Sequence, residues 1–379
     1  MPTRMSPTGV LAIVAACLFW GTTGTAASFL PADVSPLAVG ASTMGVGGLL
    51  LFAVTARRAL RVLRDPVARR WVALGAVGVF VYPLAFYTGM QLAGVAVGNV
   101  VALGSGPVFA ALIEWITERR PLSPRWALAT ALAVGGIVLL ALGRAADVVG
   151  AHGASASTPL VASATPFPGL DPVTERVVGV AIALLAGAAY ALYTVASGRA
   201  IREHAAAGAA GGAGAAGAAG AASAGARAAG AVGAASGGAG AASARTRGGA
   251  AAGGGAAPGG GSSGVMGAMF GLGAVLLLPV LVILGAPLLQ SPTTVGIAAY
   301  LAIGPTLLAY LLFGVGLRTV PGSTATVITL LEPVLATLLA VTVVGERLSP
   351  LGWSGLALVL VGLAVLFTGR RRVPREPLP

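Results

Sequence analysis

The sequence contains little charge. Only 9% of its 379 residues are charged, and every one of the 23 basic residues is Arg, with no Lys at all. A soluble globular chain carries about 25% charged residues, so this chain lacks the polar surface to face water on all sides. Hydrophobic residues make up 56% of the sequence, and the mean hydropathy is +0.92. These values indicate an integral membrane protein.

Three further scarcities exclude classes of chemistry. A P-loop ATPase needs its Lys on the phosphates, and Schiff-base chemistry with retinal or pyridoxal phosphate needs a Lys amine. The single cysteine, Cys17, cannot form an intramolecular disulfide or a multi-cysteine metal site. The two histidines, His152 and His204, lie in polar or low-complexity stretches, so an imidazole metal cluster or a Ser-His-Asp site in an apolar core is not expected. We therefore predict no cofactor, no metal and no enzymatic activity.

Ten apolar runs are long enough to cross a hydrocarbon core about 30 Å thick as helices. The predicted spans are 9–30, 36–56, 71–92, 96–117, 126–143, 177–197, 265–286, 293–317, 321–344 and 351–369. The first span is not expected to be a cleaved signal peptide, because its apolar run is long and a second span follows at once.

Low-complexity sequence divides the chain. Of the 60 residues in 205–264, 28 are Ala and 21 are Gly, so this linker has little surface to bury and is predicted to be a flexible tether. Residues 144–176 form a second irregular connection, predicted to be external, and 370–379 form a basic tail. The predicted domains are a first membrane repeat at 9–143 and a second at 177–369, which the linker interrupts.

The arginines predict the orientation. If odd-numbered spans run outward from the cytoplasm, twenty of the 23 arginines fall in cytoplasmic segments, and only Arg144, Arg176 and Arg347 lie outside. This is a strong positive-inside bias. It predicts a multi-pass protein of the cell (inner) membrane with both termini and the 205–264 linker in the cytoplasm. The net positive charge of the chain therefore reflects its orientation in the membrane and contact with anionic lipid, and no nucleic-acid partner is expected.

An internal repeat relates the two halves. Residues 104–142 align without a gap with 330–368, and the match includes Pro107 with Pro333 and Leu122-Ser123-Pro124 with Leu348-Ser349-Pro350. The match pairs spans four and five with spans nine and ten. The paired spans lie five spans apart in the chain. Because successive spans alternate in direction and five is odd, corresponding helices must cross the bilayer in opposite directions. Inverted repeats are typical of secondary transporters, which bind substrate near the midplane where the repeats meet.

The sequence resembles a known family at three places. Leu331-Glu332-Pro333-Val334-Leu335-Ala336, the turn Gly345-Glu346-Arg347-Leu348-Ser349-Pro350 and Phe19-Trp20-Gly21 are similar to the EamA domain of the drug/metabolite transporter superfamily. The first half departs from the family pattern, with Thr117-Glu118-Arg119-Arg120-Pro121 in place of Gly-Glu-Arg, and the long linker is unusual. The resemblance implies an all-α polytopic protein of ten transmembrane helices in two inverted five-helix repeats. It also implies gradient-driven movement, commonly export, of amino acids or other small metabolites.

Glu332 is the main candidate for the chemistry. It lies near the middle of span nine, where an ionisable residue is costly and normally faces a cavity or a partner. It could exchange a proton or bind a substrate amine, or it could be a structural acid bonded to nearby backbone. A second acid, Glu114, is predicted to reach Arg119 or the membrane interface.

Few other polar or aromatic side chains lie away from the ends of the spans. The remaining substrate or coupling candidates are Trp20, Tyr82, Tyr87, Asn99, Tyr190, Tyr193 and Tyr310. Each could instead anchor a helix at the interface or pack between helices. Prolines lie at related places in the two halves and could act as hinges when one half rocks against the other. Simple helix kinks without a hinge role are an equal alternative. The hinge candidates are Pro83, Pro107, Pro305 and Pro333.

Together these features predict a secondary active transporter that exports a small metabolite, such as an amino acid or a related amphipathic solute, by alternating access. Import or exchange on the same fold is the first alternative. A non-transporting membrane protein, such as a lipid-handling enzyme or a sensor, is a distant one. The expected partners are a small-molecule substrate and the lipid bilayer, while proton coupling and a homodimer are left open.

Overall fold

A computed structural model of the chain describes residues 6–31, 33–119, 123–151, 171–234, 260–344 and 347–367. Within these residues all regular structure is helical, and ten helices are long and apolar enough to cross a membrane, as predicted. They are α1 (Pro7–Ala27), α2 (Pro36–Arg64), α3 (Pro66–Ala93), α4 (Val95–Glu118), α5 (Pro124–Ala151), α6 (Pro172–Ala234), α7 (Gly260–Leu284), α8 (Pro292–Gly316), α9 (Gly322–Val343) and α10 (Pro350–Phe367).

Local sequence explains where several helices begin. Proline in the first helical turn, where a missing N–H costs nothing, starts α1, α2, α3 and α8. Three of these helices are also capped by a side chain at the preceding residue. Ser35 accepts a hydrogen bond from Ala38 N, Asp65 accepts from Val67 N and Ala68 N, and Ser291 accepts from Thr294 N.

Corresponding helices of the two halves pack against each other in opposite directions. In the α5–α10 pair, a Cβ on Gly136 would lie 2.6 Å from Gly355 O, and a Cβ on Gly362 would lie 2.8 Å from Ala129 O. Residue numbers therefore rise along one helix as they fall along the other. The glycines allow this close backbone approach.

The α2–α7 pair shows the same reversal. Gly48 lies against Phe270, while Arg58, further along α2, lies against Gly264, earlier in α7. Helix α7 is the second helix of its half and corresponds to α2, and α10 is the fifth and corresponds to α5. Because each of these corresponding pairs is antiparallel, the two halves are inverted, as predicted. Other contacts repeat on both sides: α3 and α4 pack on α6, and α8 and α9 pack on α1.

The first part of the 205–264 linker is helical, in contrast to the flexible tether that was predicted. Helix α6 continues through Ala234, and α7 already begins at Gly260, so the expectation of a flexible tether is wrong for residues 205–234. Ala has the highest helix propensity of all residues, and each interior Gly is about 1 kcal/mol less favourable than Ala. The many alanines in this segment favour the helix despite the glycines between them. Residues 235–259, the middle of the predicted external connection (152–170) and the basic tail lie outside the described residues. The predicted domain boundaries stay predictions.

A polar network joins the helix ends that carry the arginines. Glu118 at the end of α4 pairs with Arg199 at 3.0 Å and Arg202 at 2.6 Å, both on α6. The Arg199 guanidinium also lies 4.8 Å from the centre of the Trp71 ring on α3. Three of the predicted cytoplasmic segments therefore meet at one end of the bundle.

A second contact at this end involves His204 of α6. Its Nδ1 lies 2.8 Å from Asp65 Oδ2, between α2 and α3. This hydrogen bond is the main reason why the pKa of Asp65 is lowered, and the Val67 and Ala68 amides add to the effect.

Candidate functional site

A central cavity of about 90 Å³ lies between the two halves of the chain. Helices α1 to α4 of the first half and α6, α8 and α9 of the second contribute side chains to it. The lining residues are Trp20, Thr23, Gly40, Thr43, Met44, Tyr82, Pro83, Phe86, Tyr87, Leu103, Tyr190, Tyr193, Pro305, Thr306, Tyr310 and Glu332. The cavity thus brings together every predicted substrate or coupling candidate except Asn99, which lies half-buried on α4 outside this lining.

Helix α9 is interrupted directly before Glu332. Its first segment ends at Ile328 and the second begins at Leu331. Pro333 has no N–H to donate to the carbonyl four residues earlier, and Glu332 N donates to that Thr329 carbonyl instead, at 2.9 Å. Glu332 therefore lies in the first turn of a helical segment, where the helix dipole favours a negative charge.

The Glu332 carboxylate has no protein counter-ion. The side chain is half-buried, and no ion pair or hydrogen bond joins its carboxylate to another residue in the described part of the chain. Among the described residues that line the cavity it is also the only charged one. The structural-acid alternative, in which the carboxylate bonds to nearby backbone, finds no support in these contacts.

Only the second half carries this acid. In the alignment of the repeats Gly106 corresponds to Glu332, and a Cβ at Gly106 would lie 2.8 Å from Tyr190 Cδ1. A tyrosine ring thus packs against the first-half position at which the second half places its carboxylate. The cavity is asymmetric in charge although the fold is nearly symmetric.

Hydrogen bonds between distant helices hold the aromatic side chains in place. Trp20 Nε1 donates to Pro305 O at 2.8 Å. The Tyr193 and Tyr310 hydroxyls are 2.9 Å apart, and the Tyr190 hydroxyl lies 2.5 Å from Thr329 Oγ1. Each of these rings is at most 9% exposed, so none of them is a surface anchor at the membrane interface.

The rings form one continuous wall. The Trp20 and Tyr310 centroids are 5.1 Å apart, those of Tyr193 and Tyr310 are 6.1 Å apart, and those of Tyr82 and Tyr193 are 5.9 Å apart. These spacings are typical of tilted and edge-to-face aromatic pairs. The wall runs from α1 through α8 and α6 to α3, and so spans both halves.

The four prolines proposed as hinges occupy different settings. Pro305 lies in a π-helical segment of α8, Ala302–Leu308, and Pro333 follows the break in α9. Pro83 and Pro107, their counterparts in the first half, lie inside continuous helices. Irregular backbone at membrane depth is tolerated where it is buried in protein or lines a cavity, and Pro305 and Pro333 both lie at such places. A hinge role for these residues stays a prediction.

Sequence reasoning missed the hydroxyls of the cavity. Thr43 on α2 is only 9% exposed, lines the cavity, and its Oγ1 has no hydrogen-bond partner in the described part of the chain. By contrast, Thr55 on the same helix donates to Leu51 O at 2.7 Å. Nothing in the sequence distinguishes these two threonines, since only the tertiary structure shows which one faces the cavity.

The prediction for Glu114 is wrong. This carboxylate is 5% exposed, and it accepts hydrogen bonds from Ser323 N at 3.2 Å and from Ser323 Oγ at 2.5 Å. It therefore stabilises the N-terminus of α9, where backbone amides and the helix dipole favour an anion. The two hydrogen bonds from Ser323 give the buried carboxylate the partners it needs at this helix end.

Ten membrane-crossing helices in two inverted halves, with an acid and a wall of rings in a cavity between them, define a membrane transporter. The EamA-like transporter family matches residues 7–142 and 260–368, so the chain belongs to this family, within the drug/metabolite transporter superfamily. The first range covers α1 to most of α5, and the second covers α7 to α10.

Two further similarities agree with this assignment. The uncharacterized transporter YwfM of Bacillus subtilis (strain 168) is 30% identical over 368 residues, which is 96% of this chain and 94% of that one. A solved crystal structure, described only as that of a protein, is 21% identical with a TM-score of 0.60 and covers 95% of this chain and 96% of that chain. It supports the fold alone.

Proposed function

We propose that this transporter exports a small metabolite, such as an amino acid or a related amphipathic solute, by secondary active transport with alternating access. The observation that carries the proposal is the Glu332 carboxylate, which has no counter-ion among the described residues and lines a cavity built by both inverted halves. A substrate site at the meeting of inverted repeats can open to either side when the halves exchange conformations. The volume of about 90 Å³ suits a small solute.

Glu332 is the proposed coupling group. A carboxylate deep in the membrane is easier to bury when it is protonated, so a proton and the substrate would compete for the same site. Binding of one and release of the other would then link the transport of substrate to the proton gradient. The proposed orientation places both termini and the Glu118–Arg199 end of the bundle in the cytoplasm.

Accessibility from the two sides tests alternating access. Cys17 is the only cysteine and is buried, so Cys17→Ala gives a cysteine-free background. In that background we compare Thr43→Cys, in the cavity, with Thr194→Cys, which is buried outside the cavity lining. A membrane-impermeant maleimide is added to one side of oriented membrane vesicles at a time.

The expected result is labelling of Thr43→Cys from each side and none of Thr194→Cys. Labelling of the cavity position from one side only, under every substrate and pH gradient imposed, would contradict alternating access.

Direction needs a separate test, because import or exchange would use the same cavity. Intracellular metabolites are compared in strains with and without the gene. Export predicts that one solute accumulates inside cells that lack the gene, whereas import predicts that such cells fail to take it up.

A further inference from the structure

The cavity can balance a positive charge but not a negative one. Among the sixteen described residues that line it, Glu332 has the only charged side chain, and none of the sixteen is Arg or His. A solute that carries a carboxylate would place a second negative charge beside Glu332 in a low-dielectric site, where like charges repel strongly. A solute with one positive charge would instead supply the missing counter-ion.

The backbone near Glu332 offers little to a carboxylate either. The break in α9 is the natural place for free amides, but Thr329 N donates to Ala325 O at 2.9 Å, Leu330 N donates to Val327 O at 3.2 Å, and Glu332 N donates to Thr329 O. Pro333 has no N–H. At this break only the Leu331 N–H has no hydrogen bond to another described residue. An α-amino acid would therefore have a charged partner for its ammonium group but no cationic side chain for its carboxylate among the described lining residues.

The rings around the cavity favour a cation as well. Tyr82, Tyr87 and Tyr310 line it together with Trp20 and Glu332. The faces of Trp and Tyr rings attract cations, and aromatic cages are a common binding mode for ammonium groups. The wall of rings thus adds to the attraction of the carboxylate.

The Thr43 hydroxyl gives an independent indication that a ligand is missing. It is more than nine-tenths buried, it lies at the cavity, and none of the described residues bonds to it. Buried polar atoms normally have partners. A hydroxyl both donates and accepts, so it can accept a hydrogen bond from an N–H of a bound ammonium group.

We infer that the cavity selects small organic ammonium cations that lack a carboxylate, with Glu332 as their counter-ion. This inference rests on the proposed function and narrows its substrate class. When the cation binds, a protonated Glu332 releases its proton to water, and the carboxylate and the ammonium group form an ion pair. The reverse exchange releases the cation.

Three solutes of similar size test the charge requirement on the purified full-length protein in detergent. Tetramethylammonium is a permanent cation, tert-butanol is its neutral counterpart of similar shape, and glycine betaine adds a carboxylate to the same headgroup. Binding is followed by titration calorimetry, and proton release by a pH-indicator dye in weak buffer. Tetramethylammonium should bind at least tenfold more tightly than the other two and should release protons as it binds.

The matched variants are Glu332→Gln and Glu175→Gln. Glu332→Gln should weaken tetramethylammonium binding at least tenfold and abolish proton release. Glu175→Gln, at the start of α6 and outside the cavity, should change neither. If Glu332→Gln does not fold, the comparison of the three solutes on the unmodified protein still decides the question.

Equal or tighter binding of tert-butanol or glycine betaine, or binding of tetramethylammonium without proton release, would overturn the inference. The first result would leave the proposed function standing, provided that the Thr43→Cys position is labelled from both sides. Binding without proton release would leave alternating access standing but would also count against Glu332 as the coupling group. Labelling from one side only would instead count against the proposed function itself.

Discussion

The hydroxyls of Tyr193 on α6 and Tyr310 on α8 lie 2.9 Å apart at the centre of the bundle, 117 residues apart in sequence. Both side chains are almost fully buried, and both rings belong to the wall of the cavity. This hydrogen bond joins two helices of the second half, and each of them also packs against a helix of the first. It therefore helps to fix the shape of the cavity.

Tyr310→Phe should remove that hydrogen bond and keep the ring. The expected loss in the free energy of unfolding is about 1 kcal/mol, the usual size for a hydrogen bond between helices. Tyr310→Ala should cost about 3–5 kcal/mol, because it also leaves a void against Phe270, whose ring centroid is 4.0 Å away. Both are measured by reversible unfolding in mixed micelles. Equal losses for the two variants would show that ring packing contributes nothing.

Glu332→Gln separates the two roles left open for this acid. A coupling residue without a protein partner should lose its transport activity, by at least tenfold in counterflow, while stability stays the same or rises, because a costly charge is removed from the membrane interior. A structural acid would show the opposite pattern, with lower stability and residual transport. Thermal unfolding and flux measured on the same preparation distinguish these outcomes.

Thr43→Val tests the partnerless hydroxyl. The change keeps the shape of the side chain, and the affinity for methylammonium, which has N–H groups to donate, should fall several-fold. The affinity for tetramethylammonium, which has none, should change by less than about twofold, since no hydrogen bond is lost. Thr55→Val is the control, because that hydroxyl bonds within its own helix. Equal losses for both cations would contradict a hydrogen bond from Thr43.

Neighbouring glycines on α5 offer a matched test of the α5–α10 contact. A Cβ at Gly136 would lie 2.6 Å from Gly355 O, whereas a Cβ at Gly135 would meet its nearest atom, Leu358 Cδ2, at 3.7 Å. Gly136→Ala should therefore destabilise the protein by about 1–3 kcal/mol, while Gly135→Ala should be neutral or slightly stabilising through its helix propensity. Similar unfolding midpoints for the two variants would show that the helices separate without cost.

The Asp65–His204 contact predicts a pH dependence of stability. Because the folded state lowers the pKa of Asp65, this carboxylate stabilises the fold above its ordinary pKa of about 3.9, and the stabilisation is lost as the pH falls through the lower folded pKa. Asp65→Asn retains an N-cap on α3 but removes the charge. The difference in unfolding midpoint between the unmodified protein and this variant should shrink as the pH falls below about pH 4. A constant difference at all pH values would contradict this assignment.

Several features of the site followed from local sequence. Pro333 was a hinge candidate, and the helix breaks just before it because proline lacks an N–H regardless of its surroundings. The tyrosines and Trp20 were identified as candidates because polar and aromatic side chains are conspicuous in apolar spans. Asn99 was chosen on the same ground but lies outside the cavity lining, since composition does not say which side of a helix faces the centre.

The sequence by itself determined the ten spans, the two halves and their inversion. Span length, apolar composition and an odd shift between repeats are properties that can be read along one chain. Only the tertiary structure decided which side chains meet. Glu114 accepts a hydrogen bond from Ser323, 209 residues away in sequence. Thr43 and Glu332 line the cavity, and their side-chain oxygens have no hydrogen-bond partner among the described residues. The physical reason is that a buried polar group is satisfied by whatever lies beside it in space, and in an inverted repeat those neighbours come from the other half of the chain.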